Sequence, residues 1–155
     1  MTLSTFPTTR RRSKQLKNLN NILTKYNSVF DLTGRACIAF IFAGAAIRKI
    51  IGYERFGGMM EEHGMASELL PLVIVFEIAC GLALALGWQT RTAALLLAGF
   101  TVLATVIFHM DWSGHFSVYL LFSKNIAIFG VLLFIVGHGS GRYSLDARRA
   151  KQAKS

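Results

Sequence analysis

The sequence predicts an all-α integral membrane protein: a four-helix bundle with both termini on the cytoplasmic side and a basic amphipathic helix in front of the first span. Three observations carry this reading. Of 155 residues, 53% are apolar and 16% charged, where a soluble domain averages roughly 25% charged, and the mean hydropathy is +0.45. Four nearly uncharged runs, about 30–51, 69–88, 92–108 and 116–137, each approach the ~20 residues that cross a bilayer as a helix. Lys and Arg gather in the two tails. A net charge of +9 would point a soluble protein toward nucleic acid; in so apolar a chain it reports topology, and no nucleic-acid partner is expected. Disorder is excluded by the same apolar content.

Residues 1–29 form a tail that is basic and free of acids. It has the composition of a presequence or the start of a signal peptide, but it is longer than a secretory n-region and three further spans follow, so cleavage is not expected. Within it Leu16, Leu19, Leu23, Tyr26 and Phe30 recur at helical spacing beside Lys17 and Lys25, the pattern of a helix lying on the inner leaflet. The first span carries Asp31 and Arg35 near one end and Arg48 and Lys49 near the other. Pro71 falls in the first turn of the second span, where its missing N–H costs nothing. The second span otherwise holds one charge, Glu77, the third none, and the fourth one, Lys124. Small residues four apart, Ala39 and Ala43, Ala79 and Ala83, Gly81 and Ala85, Ala94 and Ala98, allow close helix packing. Residues 30–140 make one membrane domain, and 141–155 a second basic tail.

Orientation follows the cations. Arg10, Arg11, Arg12, Lys14, Lys17 and Lys25 precede the first span; Arg91 sits in the second connection; Arg142, Arg148, Arg149, Lys151 and Lys154 follow the fourth. On the opposite side Arg48, Lys49 and Arg55 are offset by Glu54, Glu61, Glu62 and Glu68, and loop 109–115 has no Lys or Arg. Both tails are therefore expected in the cytoplasm, with loops 52–67 and 109–115 outside.

Glu77 and Lys124 are the strongest chemical signal. Each lies about eight residues from the outer end of its helix, roughly 12 Å deep at 1.5 Å per residue. A lone charge at depth costs at least ~2.5 kcal/mol on insertion scales, so opposite charges at equal depth are expected to face each other. Asn125 extends the network. The pair reads either as a structural lock between the second and fourth spans or as a proton or redox-ligand site. Arg35, a turn inside the cytoplasmic end, either snorkels to the headgroups, pairs with Asp31 four residues earlier, or aims its fork at a ligand oxygen. At the outer mouth, Arg48, Lys49 and His109 would line an approach, with Tyr53 and Trp112 in the interfacial aromatic belt. Met59, Met60, His63, Met65, His109 and Met110 resemble a Cu(I) donor set only loosely, having no repeated spacing, and no metal site is expected. Cys37 and Cys80 lie at similar depth, yet without a C-x-x-C or a charged neighbour they read as small buried hydrophobes.

The run Arg35, Phe40 to Gly44, Lys49 and Gly52, the stretch Glu77-Ile-Ala-Cys-Gly-Leu-Ala-Leu-Ala-Leu-Gly-Trp-Gln-Thr-Arg91, Lys124-Asn125, and Gly141-Arg-Tyr-Ser-Leu-Asp146 resemble the DoxX family of small four-helix bacterial inner-membrane proteins over about residues 31–147. The resemblance implies residence in the bacterial inner membrane. It also implies a link to quinone chemistry: thiosulfate:quinone oxidoreduction, oxidative-stress complexes or quinone detoxification, with Arg35, Lys49, Glu77, Arg91, His109, Lys124 and Asn125 at the family's polar positions. No haem, flavin or iron–sulfur motif is present in the sequence, so redox work would require a quinone and a soluble redox protein or partner subunit.

These readings combine into one expectation: the membrane subunit of a quinone-linked oxidoreductase, in which Glu77 and Lys124 act on the ligand's oxygens and protons while Arg35, Arg48, Lys49, His109 and Asn125 help to bind it. The alternative is a non-catalytic scaffold or lipid- and cargo-binding protein with a structural Glu–Lys pair; a homo-oligomer is compatible with either. A small transporter is a weaker third, since the chain shows neither inverted repeats nor broken helices.

Overall fold

A computed structural model describes residues 9–108 and 116–153. Every regular element in it is helical: α1 (Thr9–Ile51), α2 (Tyr53–Glu62), a 3-10 turn (Ser67–Leu69), α3 (Leu70–Leu86), α4 (Thr90–Phe108), α5 (Phe116–His138) and α6 (Leu145–Gln152). Four of these, α1, α3 with its preceding turn, α4 and α5, are long and apolar enough to cross a membrane. They match the four predicted runs to within two or three residues, except at the start of the first.

There the expected interfacial helix is not a separate element. Helix α1 runs 43 residues without interruption, about 65 Å at 1.5 Å per residue, twice a hydrocarbon core. No Gly or Pro stands between Ser13 and Phe30 to break it. Leu16, Leu19, Leu23, Tyr26 and Phe30 are all exposed.

The second surprise is α2, where the sequence reading placed a loop. Gly52 ends α1 with its N–H still bonded to the Arg48 carbonyl at 2.9 Å, and the Gly52 carbonyl accepts from Phe56 N–H at 3.0 Å, so the chain bends and resumes as helix within one residue. Helix α2 is amphipathic. Phe56, Met60 and, just beyond its end, Met65 join Ala46, Leu70, Ile74 and Phe108 in a small core that closes this end of the bundle. Glu54, Arg55, Glu61 and Glu62 point away. Met60 and Met65 are thus packing residues, and among the described residues no three His, Cys, Asp or Glu side chains converge as metal ligands do.

The larger core joins Ile38 and Phe42 of α1, Leu84 of α3, Ala93, Ala94, Leu97 and Ala98 of α4, and Ile128, Leu132 and Ile135 of α5. Two of the small-residue pairs do what their spacing suggests. Ala94 and Ala98 are fully buried, and Gly81 is buried against α1, where an added Cβ would make ordinary contact with the Ala39 carbonyl and Phe42. Ala43 and Ala79, by contrast, face outward. Packing runs α1 on α3, α3 on α4 and α4 on α5; α1 and α5 are not a closely packed pair. Cys37 is exposed and Cys80 half-buried, both free thiols.

Candidate functional site

Two polar constellations lie at opposite ends of the bundle. The antiparallel register of α1 and α3 sets them apart: Ala39 and Phe42 lie against Gly81, Ala46 against Leu70 and Ile74. Lys49 and Arg35 are 14 residues apart on one helix, about 21 Å.

At the α2 end the partner of Glu77 is Lys49. The Lys49 ammonium donates to both carboxylate oxygens at 2.8 Å, with Glu77 2% exposed and the Lys49 side chain 18% exposed. This corrects the expected Glu77–Lys124 pair. Lys49 sits in the last turn of α1, and from there its four-carbon stem reaches inward along α3 rather than snorkelling outward. Equal depth on separate helices is a weaker criterion than direct packing, and α1 packs directly on α3 whereas α5 packs on α4. Removing either member would leave the other as an uncompensated buried charge.

Lys124 is exposed. Asn125 turns the other way, donating to Thr105 Oγ1 on α4 at 2.9 Å. Thr105 donates in turn to the Thr101 carbonyl at 2.6 Å, and Thr101 to the Leu97 carbonyl at 2.7 Å, so each hydroxyl has a partner where no water competes. Thr101, Thr105, Phe122, Asn125 and Phe129 line an apolar groove of about 180 Å³ between α4 and α5, room for one ring or a stretch of acyl chain. His109 and Trp112 lie outside the described residues.

At the other end the Gly141-Arg-Tyr-Ser-Leu-Asp146 segment forms a clasp. Arg35 is 2% exposed, so it does not snorkel. It makes no ion pair with Asp31; its fork donates to the carbonyls of Leu84 at 3.1 Å and Tyr143 at 2.6 Å, while Nε has no partner among the described residues. Leu84 belongs to the last turn of α3, whose carbonyls need outside donors. That helix closes in a Schellman turn, with Gly87 at φ +68°, Gly87 N–H bonded to the Leu84 carbonyl and Trp88 N–H to the Ala83 carbonyl.

Asp146 then caps α4 from across the chain. Its carboxylate accepts from Gln89 N–H at 2.8 Å, Thr90 N–H at 2.9 Å and Thr90 Oγ1 at 2.8 Å, and its own N–H donates to the Gly87 carbonyl at 2.9 Å. Partial burial pushes the Asp146 carboxyl up, but the Thr90 and Gln89 donors and the nearby Arg149 outweigh it and hold it below the usual range. Ser144 accepts from Ala147 N–H at 3.1 Å as the N-cap of α6. A wider cleft of about 500 Å³ opens beside this clasp, lined by Arg91, His138, Gly139 and Asp146 among others, with Arg91 bonded to the Gly137 carbonyl at 3.3 Å. Its carboxylate is already engaged on α4.

The structure thus brings Glu77 and Lys49 together, leaves Arg48 and Lys124 exposed, and places Arg35 in a different constellation altogether. Sequence reasoning missed Ser144, Asp146 and Thr90. The available signal was a Ser-x-Asp after a glycine and a Gln-Thr opening a helix with no acid in its first turn, which needs a cap from elsewhere.

Comparison with known proteins agrees with this architecture. The DoxX family model matches residues 30–110, which hold the Lys49–Glu77 pair and the α3–α4 turn. Inner membrane protein YqjF of Escherichia coli (strain K12) is 38% identical over 124 residues, 80% of this chain and 95% of that protein. Inner membrane protein YphA of the same organism is 29% identical over 126 residues, covering 77% and 90% respectively. No solved structure matches significantly. With the family model spanning more than half the chain, a long relative at this identity and four spanning helices, the protein belongs to the DoxX family of inner-membrane proteins.

Proposed function

We propose that this protein is the membrane subunit of a quinone-linked redox system, with Lys49 and Glu77 as the groups that meet the quinone head and both tails in the cytoplasm. The observation that carries the reading is the buried ion pair near one end of the bundle, since intramembrane ionisable groups are functional by default. The residues suit a quinone. Lys49 uses two of its three N–H donors on Glu77 and keeps partial exposure, so the third is free for a carbonyl oxygen. Glu77 is positioned to take or pass a proton through that ammonium. Arg48 and His109 would line the approach, and Asn125 the neighbouring groove. A bound quinone would supply the two-electron couple that no side chain here provides; the electrons would come from a soluble redox protein or partner subunit.

The closed geometry of the pair, both oxygens on one ammonium, also favours a second reading, a non-catalytic scaffold in which the pair is a lock between α1 and α3. The discriminating experiment is Glu77→Gln, assayed by organic extraction of the purified protein for quinone and by electron transfer in the assembled complex. Loss of both is expected; if both are unchanged, the redox reading is wrong and the scaffold takes its place.

A further inference from the structure

Before Phe30, α1 stands clear of the bundle: residues 13–27 are all exposed, and the family match begins only at residue 30. The helix is gripped just inside that point. Arg35 is bonded to the Leu84 and Tyr143 carbonyls, and Gly141 lies so close to Asp31 that an added Cβ would overlap its side chain. Residues 13–29 therefore leave the bundle as an unbroken continuation of the span, about 25 Å long. To lie on the leaflet they would have to turn away from the span, and α1 has no break at which to do so. Seven large apolar side chains on this stretch, from Leu16 to Phe30, are each 45–58% exposed. At about 100 Å² apiece they present roughly 700 Å², near the ~800 Å² that each partner buries in a standard interface.

Their spacing specifies the cover. Leu16, Leu19, Leu23, Tyr26 and Phe30 alternate steps of three and four residues, the a and d positions of a coiled-coil seam. The positions flanking that seam, Ser13, Gln15, Asn20, Ile22, Asn27 and Val29, carry no charge, and Lys14, Lys17 and Lys25 all fall on the far side. A helix on a lipid surface has its cations at the borders of the apolar face, where they snorkel; these borders are neutral. The same steps continue on the span through Thr33, Cys37 and Phe40, all exposed, each two residues, or about 200°, from the buried row Arg35, Ala39 and Phe42. One seam thus runs from the extension into the membrane on the side of α1 turned away from α3.

We propose that this seam joins two copies of the chain, which pair in parallel along α1 over residues 16–40 as a two-stranded coiled coil. A second copy is the partner the geometry fits. Inserted in the same membrane with the same topology, it runs parallel and at the same height, so each a and d residue meets its own counterpart about a two-fold axis along the membrane normal. Thr33 and Cys37 are small enough to let the two helices approach within the bilayer. The lysines point outward from the pair, and salt screens what repulsion remains beyond the ~8 Å Debye length. This inference is independent of the quinone reading, which uses Lys49 and Glu77.

The test is disulfide cross-linking of the full chain in phosphatidylcholine–phosphatidylglycerol vesicles at a high lipid-to-protein ratio, with copper–phenanthroline as oxidant. Cys37 lies on the seam and is the reporter: a covalent dimer is expected, lost in Cys37→Ser and kept in Cys80→Ser. With both native cysteines replaced by serine, Tyr26→Cys, on the seam, should cross-link and Asn21→Cys, on the opposite face, should not. Leu19→Lys and Leu23→Lys should each slow Cys37 cross-linking by roughly tenfold or more, the effect of losing a buried leucine, whereas Asn21→Lys should leave it unchanged. These positions lie outside both cores, so the melting temperature of the bundle should hold and separate lost pairing from lost fold. Molar salt should leave cross-linking intact or speed it, because it screens like charges. Equal reaction of Tyr26→Cys and Asn21→Cys, or parental cross-linking in Leu23→Lys, would overturn the proposal. So would shielding of the Tyr26→Cys thiol from a water-soluble maleimide that requires phosphatidylglycerol and is reversed by salt, because the stripe would then lie on lipid.

Discussion

Replacing Gly87 with Ala is the sharpest available test of the clasp that joins the C-terminal segment to the bundle. The single added Cβ meets two obstacles. Gly87 has φ +68°, a left-handed conformation that costs an L-residue roughly 1–2 kcal/mol. The Cβ would also overlap Arg35 Nη1 and the Ser144 side chain, and come within 2.9 Å of Ser144 Cα. The Arg35 end of that clash is a flexible side chain, but it is buried and bonded to Leu84 and Tyr143, and moving it forfeits a charge-assisted hydrogen bond worth about 1.5–3 kcal/mol. The Ser144 contact is with backbone and no rotamer relieves it. The sum is about 3–5 kcal/mol, and at about 2–4 °C per kcal/mol for a chain of this size the Tm should fall by roughly 6–20 °C. The assay is thermal unfolding of the purified protein in detergent, with Gly87→Asn alongside. Asparagine tolerates positive φ yet carries a Cβ, so steric exclusion predicts that it fares as badly as alanine. If Gly87→Ala lies within 1 kcal/mol of the parent, or if asparagine restores stability, the close approach of Arg35 and Ser144 to this turn is not what holds the two ends together.

Two further outcomes are expected. Glu77→Leu or Lys49→Met alone should destabilise by about 3–5 kcal/mol, because each strands a buried charge, whereas the double replacement Glu77→Leu with Lys49→Met should recover most of that loss; a thermal-unfolding double-mutant cycle with additive losses would mean that the pair is not coupled. Asp146 is held as carboxylate more strongly in the folded chain than in the unfolded one, so its contribution is full above the ordinary carboxylate value of about 3.9 and is lost as the pH falls through the lower folded value. Asp146→Asn should therefore flatten the stability profile on the acid side of about pH 4, and Asp146→Ala should cost about 0.5–2 kcal/mol at neutral pH as a lost N-cap; an unaltered acid limb in Asp146→Asn would show that the cap does not titrate.

Legibility in the sequence followed the range of the interaction. The ends of α3, α4 and α5 could be read to within two or three residues, because hydropathy changes there within a few consecutive positions, with Pro71 marking the start of α3 and Arg91 the turn between α3 and α4. Helix α2 was missed since ten residues with two glycines and four charges look like a loop until the bundle supplies an apolar surface for Phe56 and Met60. The candidate site was legible as a set of residue types and not as a set of contacts. Glu77, Lys49, Arg48, Lys124 and Asn125 were all singled out, yet depth counting chose the wrong cation for Glu77, having placed Lys49 at the outer mouth and not beside Glu77.

By itself the sequence determined the class of the molecule, its four spans and the rarity of charge inside them, because hydropathy and helix length are properties of consecutive residues and the bilayer imposes them on any such chain. Only the tertiary structure decided who pairs with whom. Which helices pack side by side, and which way a lysine stem or a guanidinium fork turns, depends on the rotation of each helix about its axis and on its register with a neighbour dozens of residues away. That is why Glu77 belongs to Lys49, why Arg35 serves two carbonyls instead of a headgroup, and why Asp146 caps a helix that begins 56 residues before it.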